Sequence, residues 1–420
     1  MTPPEVDAAC RAIAERTRAA RTTLAETTPA DRTAALRAIA AEIRAATPDI
    51  LRANAEDVRD GATLSPALID RLRLDATRVE AMAAAVDQIA SQPDPVGEIA
   101  EGRVLPNGIR LEKRRVPIGV IVIIYESRPN VTSDAAALCL RSGNAVILRG
   151  GKETIRTNRA IVAAIHRALD PRGLRDAIAF VDTPDRAAIA SLVRLRGLID
   201  LCIPRGGPGL IAAVAESALI PVIKHDAGNC HVYIDKHIDG LRETAVSIVV
   251  NAKAHRPGVC NAAETLVVHR DIAPEILPPI GAALRAAGVE LRADPAALAL
   301  LPGAIPATEA DWGTEYLDLI LAVRIVDSLD DAAAHIRAHG SNHTEAIITS
   351  SVASAERFTR LVDSASVMVN CSTRFADGGE YGLGAEIGIS TDKLHARGPM
   401  GARDLTTFQW IATGSGQIRR

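Results

Sequence analysis

Cys260 lies in the run Lys253-Ala-His-Arg-Pro-Gly-Val-Cys-Asn-Ala262, where a helical stretch gives way to a Pro257-Gly258 turn before an extended segment. A thiol on such a turn can meet a substrate, and as thiolate it would be a covalent nucleophile. Lys253, His255 and Arg256 are near enough in sequence to favour the thiolate. Cysteine is as commonly a buried, inert packing group, and the local residues leave both fates open. The other five cysteines are dispersed, without a C-x-x-C pair; Cys139 between Leu138 and Leu140, and Cys202 between Leu201 and Ile203, have the setting of packed side chains. This usage predicts reduced thiols in a cytosolic protein.

Three further patterns invite chemistry. His335, His339 and His343 recur every fourth residue, as metal ligands on a helix would, but the order H-E-x-x-H is missing and Gly340 interrupts the helix before His343. The segment predicts a helix end closed by Gly340 and Asn342, and no metal. Gly382, Gly384 and Gly388 have the wrong spacing for a dinucleotide fingerprint and read as a turn. The run Ile203-Pro-Arg-Gly-Gly-Pro-Gly209 follows an extended segment and precedes a helical one, so Gly206 and Gly207 could bring backbone amides to a cofactor phosphate or form an ordinary turn.

These residues must be positioned by regular elements. Apolar spacing predicts helix over 4–46 and 66–90. Residues 103–105 and 109–116 flank Pro106-Asn107-Gly108 as the arms of a hairpin. The β-branched run 116–124 predicts a buried parallel strand. Strands at 145–148, 177–181, 198–203 and 222–223 alternate with helices, among them 134–142 and 158–169, as in a doubly wound parallel sheet. A second α/β block follows, with helices at 241–254, 274–287 and 330–339 and strands at 264–269, 346–349 and 367–370. A last strand is expected at 405–411.

The chain has 420 residues, which argues for two or more domains. Hydrophobic residues make up 48% and aromatic ones only 2%, so Ala, Leu, Val and Ile must fill the core. Acidic and basic residues, 51 and 48, are interleaved without a basic stripe, which argues against nucleic acid as a partner. No apolar run nears the roughly 20 residues of a membrane span, and the first 25 residues lack a signal-type apolar stretch.

Several segments together resemble the glutamate-5-semialdehyde dehydrogenases, or gamma-glutamyl phosphate reductases, a branch of the aldehyde dehydrogenase superfamily. They are Tyr125-Glu-Ser-Arg-Pro-Asn-Val-Thr132, Leu148-Arg-Gly-Gly-Lys-Glu153, Ile203-Pro-Arg-Gly-Gly207, Ala254-His-Arg-Pro-Gly-Val-Cys-Asn261 and residues 335–345. The resemblance runs over essentially the whole chain. It implies an α/β fold with a Rossmann-type NADP-binding domain (1–101 and 117–228), a catalytic α/β domain (229–397) and an oligomerisation flap (102–116 and 398–420). It implies NADPH-dependent reduction of L-glutamyl 5-phosphate to L-glutamate 5-semialdehyde, with release of phosphate, through a thioester on Cys260. Ser127, or Asn130 close by, would help to bind the oxyanion. Lys152 would meet the 2′-phosphate of NADP, Arg149 the adenosine ribose, Gly206 and Gly207 the cofactor, and Glu315 the nicotinamide ribose. Arg128 and Arg256 are candidates for the substrate's anionic groups. His225 aligns with the glutamate that activates water in hydrolytic relatives, so the thioester would be spared hydrolysis. A cytoplasmic homo-oligomer is implied, and channelling from a glutamate 5-kinase is a reasonable partner hypothesis.

Overall fold

The computed structural model describes residues 2–64, 66–224 and 227–419. His225 and Asp226 therefore lie outside the described residues, and the expectation for His225 with them. The N-terminal stretch expected as one helix is two, Pro3–Ala25 and Pro29–Ala45. The break has a local cause. The Thr28 side chain accepts from the Asp31 amide while Asp31 accepts from the Thr28 amide, and Pro29 follows as first helical residue. Three more helices follow, Thr47–Asp60, Pro66–Leu72 and Ala76–Ser91.

The first sheet has four parallel strands in the order Ile178–Phe180, Ala145–Arg149, Val120–Tyr125, Leu201–Arg205. Every residue of Val120–Tyr125 is buried, because helices cover both faces: Ile121 and Ile123 join one apolar cluster, Val120, Val122 and Ile124 another. The strand expected over 116–124 is in fact divided. Val116 and Pro117 end a different strand, Arg110–Pro117. At Gly119 φ is +139° and a Cβ would lie 2.0 Å from the Asp200 carboxylate, so the chain turns there at a place only glycine fits. Residues 222–223 form only a single bridge, Val222 to Cys202.

The second sheet has seven parallel strands in the order Ile305–Pro306, Glu290–Ala293, Ile320–Val326, Ala263–His269, Cys230–Ile234, Thr344–Ile348, Ser366–Val369. Helices Arg242–Ala254 and Ala273–Ala286 cover one face, Leu329–His339 and Val352–Leu361 the other. A separate antiparallel sheet joins Ile99–Val104, Arg110–Pro117 and Thr406–Thr413, with the expected turn at residues 106–108. Before this last strand, Ile387, Ala396, Met400, Ala402 and Leu405 pack into the core of the first sheet. The loop of Cys260 runs between helix Arg242–Ala254 and the central strand Ala263–His269.

Candidate active site

The Cys260 loop is held from several directions. The Asn261 amide donates to the Ala376 carbonyl at 2.9 Å, and the Arg71 guanidinium to the Gly258 carbonyl at 2.9 Å. The Cys230 thiol, buried beneath, donates to the Cys260 carbonyl at 3.2 Å. Gly228 lies flush against the loop: a Cβ there would be 2.0 Å from the Cys260 carbonyl oxygen and 2.5 Å from its Cα. The Gly228 amide donates to Glu315 Oε1 at 2.9 Å. Four segments distant in sequence thus converge on the loop of one half-buried thiol.

The electrostatics of that thiol differ from the sequence expectation. Lys253 is fully buried and bonded to Glu264 at 2.5 Å, so its charge is spent in the core rather than on the sulfur. His255 and Arg256 are exposed. Burial pushes the Cys260 thiol up to about 11; Arg205 and then Arg128 oppose that rise, while Glu386 and Glu315 add to it. The cations that matter come from the ends of the first sheet's strands.

The Arg128 side chain makes no hydrogen bond or ion pair among the described residues. Burial pulls it down to about 10, reinforced by Arg205, Arg71 and Arg256. Arg205 reaches only 3.8 Å from Glu386 Oε1. Arg374 has its Nε enclosed without a partner, and it lies within electrostatic reach of Arg256 and Cys260. Guanidinium groups brought together with only the long Arg205–Glu386 pair among them can receive an anion. Arg128 and Arg256 were legible as candidates; Arg205, Arg71 and Arg374 were not, and neither was Gly228.

Ser127 sits beside Arg128 with φ +29°, buried, its amide 3.3 Å from where a Cβ on Gly151 would stand. Such a φ is costly for serine and is held by its surroundings. Asn130 opens helix Asn130–Arg141, and its side-chain amide donates to Asp134 on that helix at 3.0 Å. Burial lifts Asp134 to about 6.

On the far side of the same loop are the candidates for a dinucleotide. Arg149 ends its strand buried, donating to the carbonyls of Pro184 and Asp185 at 3.1 and 3.3 Å. Lys152 is exposed and has no partner among the described residues. The Gly207 amide opens helix Pro208–Ser217, but it donates to Glu126 at 2.9 Å, and a Cβ on Gly206 would lie 2.5 Å from the same carboxylate oxygen. An internal anion fills the turn where an external one was expected. Glu315, beside Gly228, is raised by burial and held back by the amide it accepts from.

The histidine segment is structural. Helix Leu329–His339 ends where the Gly340 amide bonds to Ile336. Asn342 follows with φ +58°. Glu345 accepts from the amide and ring of His231 at 2.7 and 3.0 Å. His335 Nδ1 accepts from Arg324 at 3.0 Å, which leaves that ring neutral. Among the described residues no group of three or more His, Cys, Asp or Glu side chains is disposed to hold a metal ion.

Two parallel-sheet units, with the Cys260 loop and cations at the strand ends, are the arrangement of an oxidoreductase of the aldehyde dehydrogenase kind. The comparisons agree: the model of the aldehyde dehydrogenase family matches residues 2–298. A curated relative, the gamma-glutamyl phosphate reductase of Thermobifida fusca (strain YX), is 52% identical over 418 residues, 99% of this chain and 100% of that one. That of Dehalococcoides mccartyi (strain CBDB1) is 52% identical over 380 residues, 89% of each. The crystal structure of gamma-glutamyl phosphate reductase from Thermotoga maritima superposes with a TM-score of 0.95 at 42% identity, covering 98% of this chain and 100% of that one. An acetylating aldehyde dehydrogenase from Geobacillus thermoglucosidasius, 18% identical, shares the fold with a TM-score of 0.72, covering 100% of this chain and 99% of that one. The chain belongs to the aldehyde dehydrogenase family and, within it, to the gamma-glutamyl phosphate reductases.

Proposed function

We propose that the enzyme reduces L-glutamyl 5-phosphate to L-glutamate 5-semialdehyde with NADPH, releasing phosphate, as the second step from glutamate towards proline. The observation that carries the reading is the Cys260 thiol, locked by Gly228 and within electrostatic reach of the guanidinium groups of Arg205 and Arg128. An acyl phosphate asks for that pairing: a nucleophile for its carbonyl and cations for its leaving group.

Cys260 would lose its proton to the Glu386 carboxylate, which burial raises and so makes able to hold it. The sulfur attacks the carbonyl, the C–S bond forms and the C–O bond to phosphorus breaks. Phosphate leaves as an anion against Arg128 and Arg205, so no acid need protonate it. The Cys260 amide and Ser127 would donate to the tetrahedral oxyanion; Asn130 would need to release Asp134 to do the same. A dinucleotide held by the residues named below would supply hydride for the reduction. Lys152 suits a 2′-phosphate, a cation where an NAD enzyme would carry an acid, and Arg149 would lie at the adenosine ribose. Gly206 and Gly207 become available to a phosphate once Glu126 yields. Glu315 would hold the nicotinamide ribose.

The test is phosphate-dependent reduction of NADP by glutamate semialdehyde, followed at the nicotinamide absorbance. The expected result is turnover with phosphate that disappears in Cys260→Ala. Turnover with coenzyme A or water in place of phosphate would reject the reading. Co-purification with a glutamate 5-kinase and protection of the acyl phosphate in the mixture would test channelling.

A further inference from the structure

We propose that Arg374 determines specificity: its guanidinium binds the carboxylate at the end of the substrate remote from the reacting carbonyl, and so selects acyl phosphates that carry a second anion. This rests on the reaction proposed above and adds a residue for which that reading has no task.

The argument begins with position. Arg374 lies in the short 3-10 turn Thr373–Phe375, which follows strand Ser366–Val369. That turn is built to be rigid. Ser372 accepts from the Arg374 amide at 3.2 Å, and the Ala376 carbonyl accepts from Asn261, the residue after the nucleophile. The place of Arg374 relative to Cys260 is thereby fixed through a single side chain.

The state of its guanidinium is the second observation. Nε is enclosed and has no acceptor, and the group makes no hydrogen bond or ion pair among the described residues. Asp377 is the strongest charge on Arg374, yet it makes no ion pair with it and spends one oxygen on the Gly379 amide at 2.9 Å. An enclosed donor without an acceptor costs stability, and a fold keeps it where a ligand supplies what is missing.

The third observation is division of labour. The cations that act on the sulfur are Arg205 and Arg128, whereas Arg374 reaches towards Arg256 as well as Cys260. The site therefore holds more guanidinium groups than the leaving phosphate needs. A substrate with one anion would leave Arg374 idle. L-Glutamyl 5-phosphate has two, a phosphate at the reacting end and an α-carboxylate at the other.

The experiment compares Arg374→Gln and Arg374→Lys with the full-length wild-type enzyme in the phosphate-dependent direction, with glutamate semialdehyde and with butanal, which lacks the carboxylate. Losing a charge-assisted bond is expected to raise KM for glutamate semialdehyde roughly 10- to 100-fold, with kcat little changed. The lysine variant should recover part of the loss. The effect on butanal should be several-fold at most, so the preference for the charged aldehyde collapses. Protection of Cys260 from iodoacetamide gives a readout independent of turnover: protection by L-glutamate should vanish in Arg374→Gln while protection by inorganic phosphate persists. Equal losses with both aldehydes, equal loss of both protections, or an unchanged preference would each overturn the proposal while leaving the reaction intact. No phosphate-dependent turnover by the wild-type enzyme with either aldehyde would overturn both.

Discussion

The Cys260 thiol sits in a balance of opposing charges. Burial and two carboxylates hold the proton on, two guanidinium groups pull the other way, and the net is a thiol pushed up to about 11. Below that value the thiolate fraction, and with it alkylation by iodoacetamide, should rise about tenfold per pH unit from pH 7 to 9. Arg128→Ala or Arg205→Ala removes a counter-charge and should slow alkylation at fixed pH by about tenfold, the worth of one unit. A plateau near pH 8 in the wild-type protein would refute this balance. His335 is the opposite case. Burial, with His231 and Arg324 near, depresses its imidazole from 6.5 to about 2. Between those values the unfolded chain binds a proton that the folded one refuses, so stability is full above pH 6.5 and falls as the pH is lowered. His335→Asn keeps an acceptor for Arg324 but cannot titrate; its melting temperature should fall less between pH 7 and pH 5 than that of the wild type. Parallel falls would show that other groups control acid stability.

The elements explain which parts of the site could be read in advance. Strands 120–125 and 145–149 declared themselves because a parallel strand covered on both faces is a continuous β-branched run. Strands Cys230–Ile234, Glu290–Ala293 and Ile320–Val326 and helix Val352–Leu361 were not marked out. They are short or interrupted by polar residues such as His231, Arg292 and Arg324, whose buried or half-buried partners are tertiary. The site divides in the same way. Cys260, Arg128, Arg256 and Glu315 lie in recognisable segments, but nothing local in Arg374 or Gly228 says that distant folding brings either to the nucleophile. Gly228 gives the sharpest test of that convergence. A methyl group there meets backbone, which cannot swing aside, so Gly228→Ala must shift the Cys260 loop. We expect destabilisation of about 1–3 kcal/mol, the usual cost of overpacking, and at least a hundredfold loss of turnover from misplacement of the thiol. Gly313→Ala, with open space around the new methyl group, is the control. Turnover near wild type in Gly228→Ala would mean that the loop is not set by this contact.

At the scale of the molecule, the three-stranded sheet is the part that a single chain leaves unfinished. Its middle strand is Arg110–Pro117, so both outer strands present an unpaired edge, and open edges invite a further strand. Among its charged residues it also exposes several large apolar side chains. Val104 is 70% exposed, Ile99 51%, Trp410 49% and Phe408 39%. Lys113 lies 4.7 Å from the Phe408 ring centre and 5.6 Å from that of Trp410, which shields these rings in part but does not bury them. Leaving that surface in water is unfavourable, and a second copy of the chain offers the same strands in return. We therefore expect an oligomer closed through this sheet. Phe408→Glu with Trp410→Glu places two carboxylates at its centre and should shift the sedimentation coefficient to that of a smaller species at micromolar protein. Cys260 is built by other elements, so its alkylation rate should survive the change. An unaltered sedimentation coefficient would locate the contact elsewhere, and a wild-type protein that sediments as a monomer would leave the apolar sheet without this purpose.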